Sequence, residues 1–257
     1  MKFKKIFPPI FFALLAITLL FSSCATEETK GKTAAEVLYK DAMDLMDSGR
    51  YIMATEKLNQ IKSKYPYSFY ATHAELLLAD ILYDQENYVE AAAAYLLFRD
   101  FHPKHDKIEY VIWRIAESYY KQLPSTYDRD LTSGEEAIKH YKEILRTYPN
   151  SEYVKASKKK ISEIQDMFRK KEKYIADFYF KTDVYEAAEY RYLKIIKEYQ
   201  KPELVEYAKV RAAESARRRS NFKDCMVYAD QFISELSEKN RKKIQNTRKL
   251  CSQKVSD

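Results

Sequence analysis

A small residue with an aromatic ring three positions before it recurs along this chain, as Tyr51/Ala54, Tyr88/Ala91, Tyr185/Ala188 and Phe222/Cys225. Four residues after each small residue stands Leu58, Tyr95, Tyr192 or Ala229, and seven after it Ile61, Phe98, Ile195 or Phe232, which together make one helix face. Twelve residues before it stands Ala42, Ala79, Ala176 or Ala213, where an earlier helix must be small enough for its partner to approach. Pro66 and Pro103 lie twelve residues after Ala54 and Ala91, and each stops its helix. The consequence for folding is severe. A helix pair this short cannot bury its apolar face alone and must stack on its neighbours.

This is the helix-hairpin pattern of tetratricopeptide (TPR) repeats, and it predicts an all-α fold, a TPR-type superhelix of about five hairpins. A further unit begins at Ala116, 37 residues after Ala79, but its second-helix marker Ala137 follows after 21 residues instead of 12. The nine extra residues fall within Leu123 to Gly134, a stretch rich in turn formers. Thr132 and Ser133 each have Glu three residues on, so a capping box is expected to start a helix running from Glu135 to Tyr148 and ended by Pro149. The five markers, at 54, 91, 137, 188 and 225, leave room before the fourth for a long helix from Ser151 to about Phe180. Nothing in the composition marks a linker, so one continuous superhelix is expected. The only three glycines, Gly31, Gly49 and Gly134, are too far apart for a phosphate-binding loop and too few for the tight turns of a sandwich or barrel. With 46% hydrophobic and 32% charged residues, the chain is globular and not disordered.

At the N-terminus, Lys2, Lys4 and Lys5 precede an uncharged apolar run of 16 residues from Ile6 to Phe21, short of the roughly 20 that span a membrane. It ends in Leu20-Phe21-Ser22-Ser23-Cys24, which resembles a bacterial lipobox, with Phe21 where Leu is usual. The resemblance implies that residues 1–23 are a signal peptide, that Cys24 is acylated, and that residues 24–32 are a tether. Ala25, not Asp, follows the cysteine, which favours the outer membrane. The formal charge of +7 falls to about +4 without the three signal lysines, a weak bias. Cys225 and Cys251 remain, 26 residues apart; an exported chain can bridge them, while a buried, unpaired Cys225 is the favoured alternative.

Enzymatic chemistry finds little support. The segment His102-Pro103-Lys104-His105-Asp106 has no further Cys or His nearby to complete a metal site, and His73 and His140 stand alone on helices. Neither a GxSxG elbow nor an HExxH motif occurs. No catalytic residue, metal or cofactor is expected. Arg217-Arg218-Arg219 and Lys158-Lys159-Lys160 fan out around their helices and read as solvated faces, and export argues against nucleic acid.

Several segments carry a more specific likeness. They are Lys64-Tyr65-Pro66-Tyr67-Ser68 after the first repeat, Ile108-Glu109-Tyr110-Val111 opening the third, and Asp128-Arg129-Asp130 in its insertion. Tyr148-Pro149-Asn150-Ser151-Glu152-Tyr153 closes the third repeat, and Tyr174-Ile175-Ala176-Asp177-Phe178-Tyr179 opens the fourth. Together they resemble the BamD (YfiO/ComL) family, lipoprotein subunits of the outer-membrane β-barrel assembly machinery. Two departures are Gln200, where a proline closes the fourth repeat in the family (Pro202 follows), and a basic segment after Leu236.

The resemblance implies a non-catalytic scaffold, anchored through Cys24 to the periplasmic face of the outer membrane. Residues 33–150 would form a groove for the C-terminal signal of unfolded outer-membrane proteins, and residues 151–236 would hold the last POTRA domain of a BamA-like partner. Residues 237–257 read as a basic tail. First helices carry the groove candidates Tyr39, Tyr83, Tyr110, Trp113, Tyr119 and Tyr120, whose rings can pack on an extended peptide while hydroxyls reach its backbone. Asp128, Arg129 and Asp130 are candidate partner contacts. Arg191 matches the arginine that couples the family to its β-barrel partner; the competing reading pairs it internally with Asp183, Glu186 or Glu198. The alternative function is a periplasmic TPR adaptor lipoprotein of another envelope machine.

Overall fold

The computed structural model describes residues 33–255; the lipobox-like segment, Cys24 and the tether lie outside the described residues. Among the described residues there are helices and no strand, and no helix is long and apolar enough to cross a membrane. The chain divides into two compact units, one ending at Gln85 and one beginning at Glu86.

The first unit holds α1 (Ala34–Asp47), α2 (Tyr51–Lys64) and α3 (Phe69–Asp84). Thr33 and Ser68 start α1 and α3 by accepting from the backbone N–H groups of Glu36 and Ala71, each at 3.2 Å. Ala42, Ala54, Leu58 and Ile61 are fully buried in one core with Ala71, Ala74 and Ile81.

The second unit holds α4 (Tyr88–Phe101), α5 (Ile108–Lys121), α6 (Thr132–Thr147), α7 (Val154–Lys181), α8 (Tyr185–Glu198), α9 (Pro202–Arg218), α10 (Phe222–Phe232) and α11 (Glu238–Val255). Each helix packs on the next in sequence, and α11 also packs on α9. The repeat markers behave as their spacing requires: Ala116, Ala137, Ala176, Ala188, Ala213 and Cys225 are all fully buried.

Four of the turns between helices share a backbone feature. Gly49, Glu86, Asp183 and Ser220 have φ of 72°, 62°, 63° and 64°, and each stands two residues before its second helix. In three of them the next N–H reaches back five residues, Arg50 to Leu45, Val184 to Tyr179 and Asn221 to Ala216, at 2.8–2.9 Å. That is a Schellman closure, which satisfies carbonyls left open at the end of the first helix. Three of the four left-handed residues are not glycine.

The third repeat departs from the sequence reading in detail. Its second helix starts at Thr132, not Glu135, and the expected capping box does not form. Asp130 Oδ1 instead accepts from the Thr132 N–H at 3.3 Å and from its hydroxyl at 2.8 Å. Gly134, read as a turn former of the insertion, lies in the first turn of α6 and is buried. A Cβ there would stand 2.8 Å from Ile164 Cγ2, so the missing side chain lets α7 approach.

The long helix α7 runs from Val154 to Lys181, close to the expected span. Its first half contributes Ile161 and Ile164 to the core around Tyr141, and its second half contributes Ala176 to the core around Tyr192. The expected functional division after residue 150 therefore falls inside the second compact unit. Asp177 on α7 accepts from the hydroxyls of Tyr192 and Tyr207, both at 2.7 Å, and from the Lys173 ammonium. Burial pushes the Asp177 carboxyl up, but these three hydrogen bonds outweigh it and hold the pKa below the usual carboxylate value.

Toward the C-terminus, Pro202 is the first residue of α9, where a missing N–H costs nothing. Arg219 does not belong to a solvated face. It grips the buried Glu189 of α8 through Nε at 2.7 Å and Nη2 at 3.0 Å, with the Tyr228 hydroxyl also on Glu189 at 3.0 Å. The segment read as a basic tail is folded over Glu238–Val255, burying Ile244, Thr247 and Cys251. Cys225, favoured as an unpaired buried thiol, forms a disulfide with Cys251 and ties α10 to α11.

Candidate functional site

In the first unit, the groove candidate Tyr39 is half-buried and sits in a group of rings. Its centroid lies 5.3 Å from Tyr70 and 6.1 Å from His73, while Phe69 stands 4.0 Å from His73 and 5.5 Å from Tyr70. Burial, then the nearby Asp80 and Tyr70, push the Tyr39 hydroxyl above its ordinary pKa, so it stays a neutral donor. The outer edge is open: Phe69 is 70% exposed and Tyr67 fully so. Tyr83 is half-buried near the other end of α3. Sequence reasoning passed over Phe69 and Tyr70 and read His73 as standing alone on its helix, although the aromatic pair opening α3 with a histidine four residues on was a signal available for them.

In the second unit, α5 presents Tyr110, Trp113, Tyr119 and Tyr120, all half-buried. Trp113 stacks on Tyr153 at 5.0 Å and tilts against Tyr141 at 5.4 Å. Tyr119 lies parallel to the His140 ring at 6.0 Å. The Tyr110 hydroxyl accepts from Arg114 Nε at 2.7 Å. Tyr120 faces α7, donating to Glu163 at 2.8 Å beneath the Lys160 ammonium, 3.6 Å from its ring centroid. Burial and that hydrogen bond push the Tyr120 hydroxyl up to about 12. Trp113 thus belongs to an inter-helix stack and Tyr120 to the α5–α7 contact.

The inserted loop is strapped to α7. Lys171 donates to the Arg129 carbonyl at 2.6 Å, and Tyr127 meets Tyr174 edge to face at 6.1 Å. Asp128, Arg129 and Asp130 remain exposed. A hydrogen bond from Thr126, then one from its own backbone, holds the Asp128 carboxyl below the usual range. Asp130 is equally lowered in direction by Thr132, the residue it caps.

Arg191 finds none of the three internal partners considered from the sequence. Its Nη1 donates to Glu172 Oε1 on α7 at 3.0 Å, and Lys194 takes Glu172 Oε2 at 3.2 Å. Glu172 is 8% exposed and Arg191 retains 31%, so a buried carboxylate is held by two cations that face outward. A buried charge requires such compensation. The other guanidinium donors of Arg191 have no protein partner among the described residues.

The family model YfiO, described as outer membrane lipoprotein, matches residues 32–229. The chain belongs to this family. Family relatives include the outer membrane protein assembly factor BamD of Neisseria gonorrhoeae, 30% identical over 208 residues that cover 75% of this chain and 78% of that protein. Proteins of the same name from Rickettsia prowazekii and Vibrio cholerae are 29% and 25% identical, covering 73% and 72% of this chain and 75% and 81% of their own. The solved TPR2AB-domain:pHSP90 complex of yeast Sti1 covers 88% of this chain and 85% of its own at 14% identity, with a TM-score of 0.45 too low to add to the fold read from the helices. Family membership associates the chain with the outer membrane and with outer-membrane protein assembly. The matched region ends within α10, leaving α11 outside it.

Proposed function

We propose that the chain is a non-catalytic scaffold lipoprotein of outer-membrane protein assembly, held at the periplasmic face of the membrane by an acylated Cys24. On this reading, first-helix aromatics receive extended segments of unfolded barrel proteins, and repeats four and five hold a POTRA-type domain of a BamA-like partner. The observation that carries the client half is the ring group of Tyr39, Phe69, Tyr70 and His73, with its exposed outer edge and a protonated Tyr39 hydroxyl. Ring faces fit alternate side chains of an extended peptide, and a neutral phenol can donate to its carbonyls. Ordering such a peptide is costly and the pockets are few, so the affinity is modest.

Arg191 supports the partner half. Glu172 takes one of its nitrogens, and the remaining planar donors are free for a carboxylate of the partner domain, a task a lysine serves less well. The exposed Asp128, Arg129 and Asp130 loop is a second contact on this reading.

A photocrosslinker placed at Phe69, Tyr83 or Tyr110 tests the client half against a peptide from the C-terminal strand of an outer-membrane barrel. Crosslinks from Phe69 and Tyr83 are expected; crosslinks confined to the repeat-five surface would sink the reading.

A further inference from the structure

The C-terminal helix α11 lies outside the region that defines the family, and its charge is lopsided. Its 18 residues contain seven Lys and Arg against a single acid, Glu238. Such a helix would be free to turn any face outward if it were loose, but two features fix it. Ile244, Thr247 and Cys251 are buried against α9 and α10, and the disulfide to Cys225 ties it covalently. Both arginines are spent internally, Arg248 on Asp230 with two nitrogens and Arg241 on the carbonyls of Ile233 and Leu236.

What faces water is lysine. Lys239, Lys242, Lys243 and Lys249 are all exposed, and at helical spacing they fall within about a third of the circumference, outside the buried stripe of Ile244, Thr247 and Cys251. Lys239, Lys243 and Lys249 have no side-chain partner among the described residues, and Lys242 pairs only with Glu238, both side chains being more than 70% exposed at 74% and 81%. Leu250 stands among them, 41% exposed.

We propose that this lysine face docks the protein onto an anionic phospholipid surface. Lysines are hydrated point charges without a directional fork, which suits the laterally uniform charge of headgroups better than the fixed geometry of a protein carboxylate. The apolar face of α11 is already consumed in the fold, so the helix cannot insert as an amphipathic anchor does. Its attachment is peripheral, electrostatic and sensitive to salt, with Leu250 adding a shallow apolar contact. The proposal is independent of the client-binding reading and adds a second, orienting membrane contact to whatever the N-terminus provides.

The test uses residues 25–257, which keep every described helix and both disulfide cysteines but lack the acylation site. Co-sedimentation is measured with vesicles of phosphatidylcholine alone and with phosphatidylglycerol mixed in, at low and high sodium chloride. Binding is expected only to the anionic vesicles and only at low salt. Replacing Lys239, Lys242, Lys243 and Lys249 together by Gln should lower the partition coefficient on the order of a hundredfold or more. The same four-charge change on α7, at the exposed Lys155, Lys158, Lys159 and Lys170, should leave most of the binding intact. Equal binding to neutral vesicles, no binding at low salt, or equal loss in both quadruple variants would each overturn the proposal.

Discussion

Replacing Arg191 by Leu separates a partner-binding arginine from a structural one, because the structure assigns the internal cost in advance. Arg191 and Lys194 share Glu172, at 3.0 and 3.2 Å, and each cation is 31% exposed. Removing either alone leaves the other on the carboxylate, a loss on the order of 0–1 kcal/mol. For a chain of this size that lowers the melting temperature by about 2–4 °C at most. Removing both strands a carboxylate that is only 8% exposed, at a cost of about 3–5 kcal/mol. The double variant must therefore lose more than the two singles combined, and adding Glu172→Gln to it should recover much of the loss. Urea unfolding of the wild type, the two single variants, the double and the triple supplies these values, and calorimetric titration with the periplasmic domain of the β-barrel partner supplies the binding arm. Arg191→Leu is expected to weaken that binding about tenfold or more with the melt nearly unchanged. Additive losses would refute the shared-carboxylate geometry; a much lower melt for Arg191→Leu, or unchanged binding, would refute its coupling role.

Cys24→Ala should abolish incorporation of a clickable fatty acid and release the protein from membranes; equal label on variant and wild type would remove the lipid anchor. Gly49→Ala should destabilise by about 1 kcal/mol, since a Cβ there meets nothing within 4 Å and only the backbone penalty of its positive φ remains, while Ser220→Gly should stabilise by a few tenths to 1 kcal/mol. Both are read from denaturant midpoints. The lowered pKa of Asp177 makes its stabilisation complete above the unfolded carboxylate value of about 3.9 and lost as pH falls through the lower folded value. Asp177→Asn should accordingly flatten the acid side of the stability profile, and an unchanged slope would exclude its contribution. Breaking the 26-residue disulfide loop by Cys225→Ser with Cys251→Ser should cost about 3 kcal/mol and raise hydrogen exchange in α11 first.

The helix hairpins were legible because their signal is local. An apolar residue that must face a neighbour at four, seven and twelve positions leaves a periodic trace, and Ala42, Ala54, Ala176 and Ala188 are buried where that trace places them. The candidate site was only partly legible. Tyr39 packs half-buried against the first-unit core and Arg191 stays partly exposed beside the buried Ala188 and Tyr192, but the rings that complete the first-unit surface, Phe69, Tyr70 and His73, open a helix instead of following the repeat pattern.

Pairings across helices belong to tertiary structure alone. Glu172 lies 19 residues from Arg191, Glu163 lies 43 from Tyr120, and Glu189 lies 30 from Arg219, and many other carboxylates were closer in sequence. Which one meets a given donor depends on how two helices cross, and no residue type encodes that. The same holds for the left-handed turns, where Asp183 and Ser220 take the positive φ of a Schellman closure although neither is glycine. Gly134 reads as a loop residue until α7 is brought against it. The C-terminal helix was the hardest to foresee, because three buried residues among so many lysines make a weak periodic signal, and only the apolar surface of α9 and α10, together with Cys225, supplies the reason for it to pack.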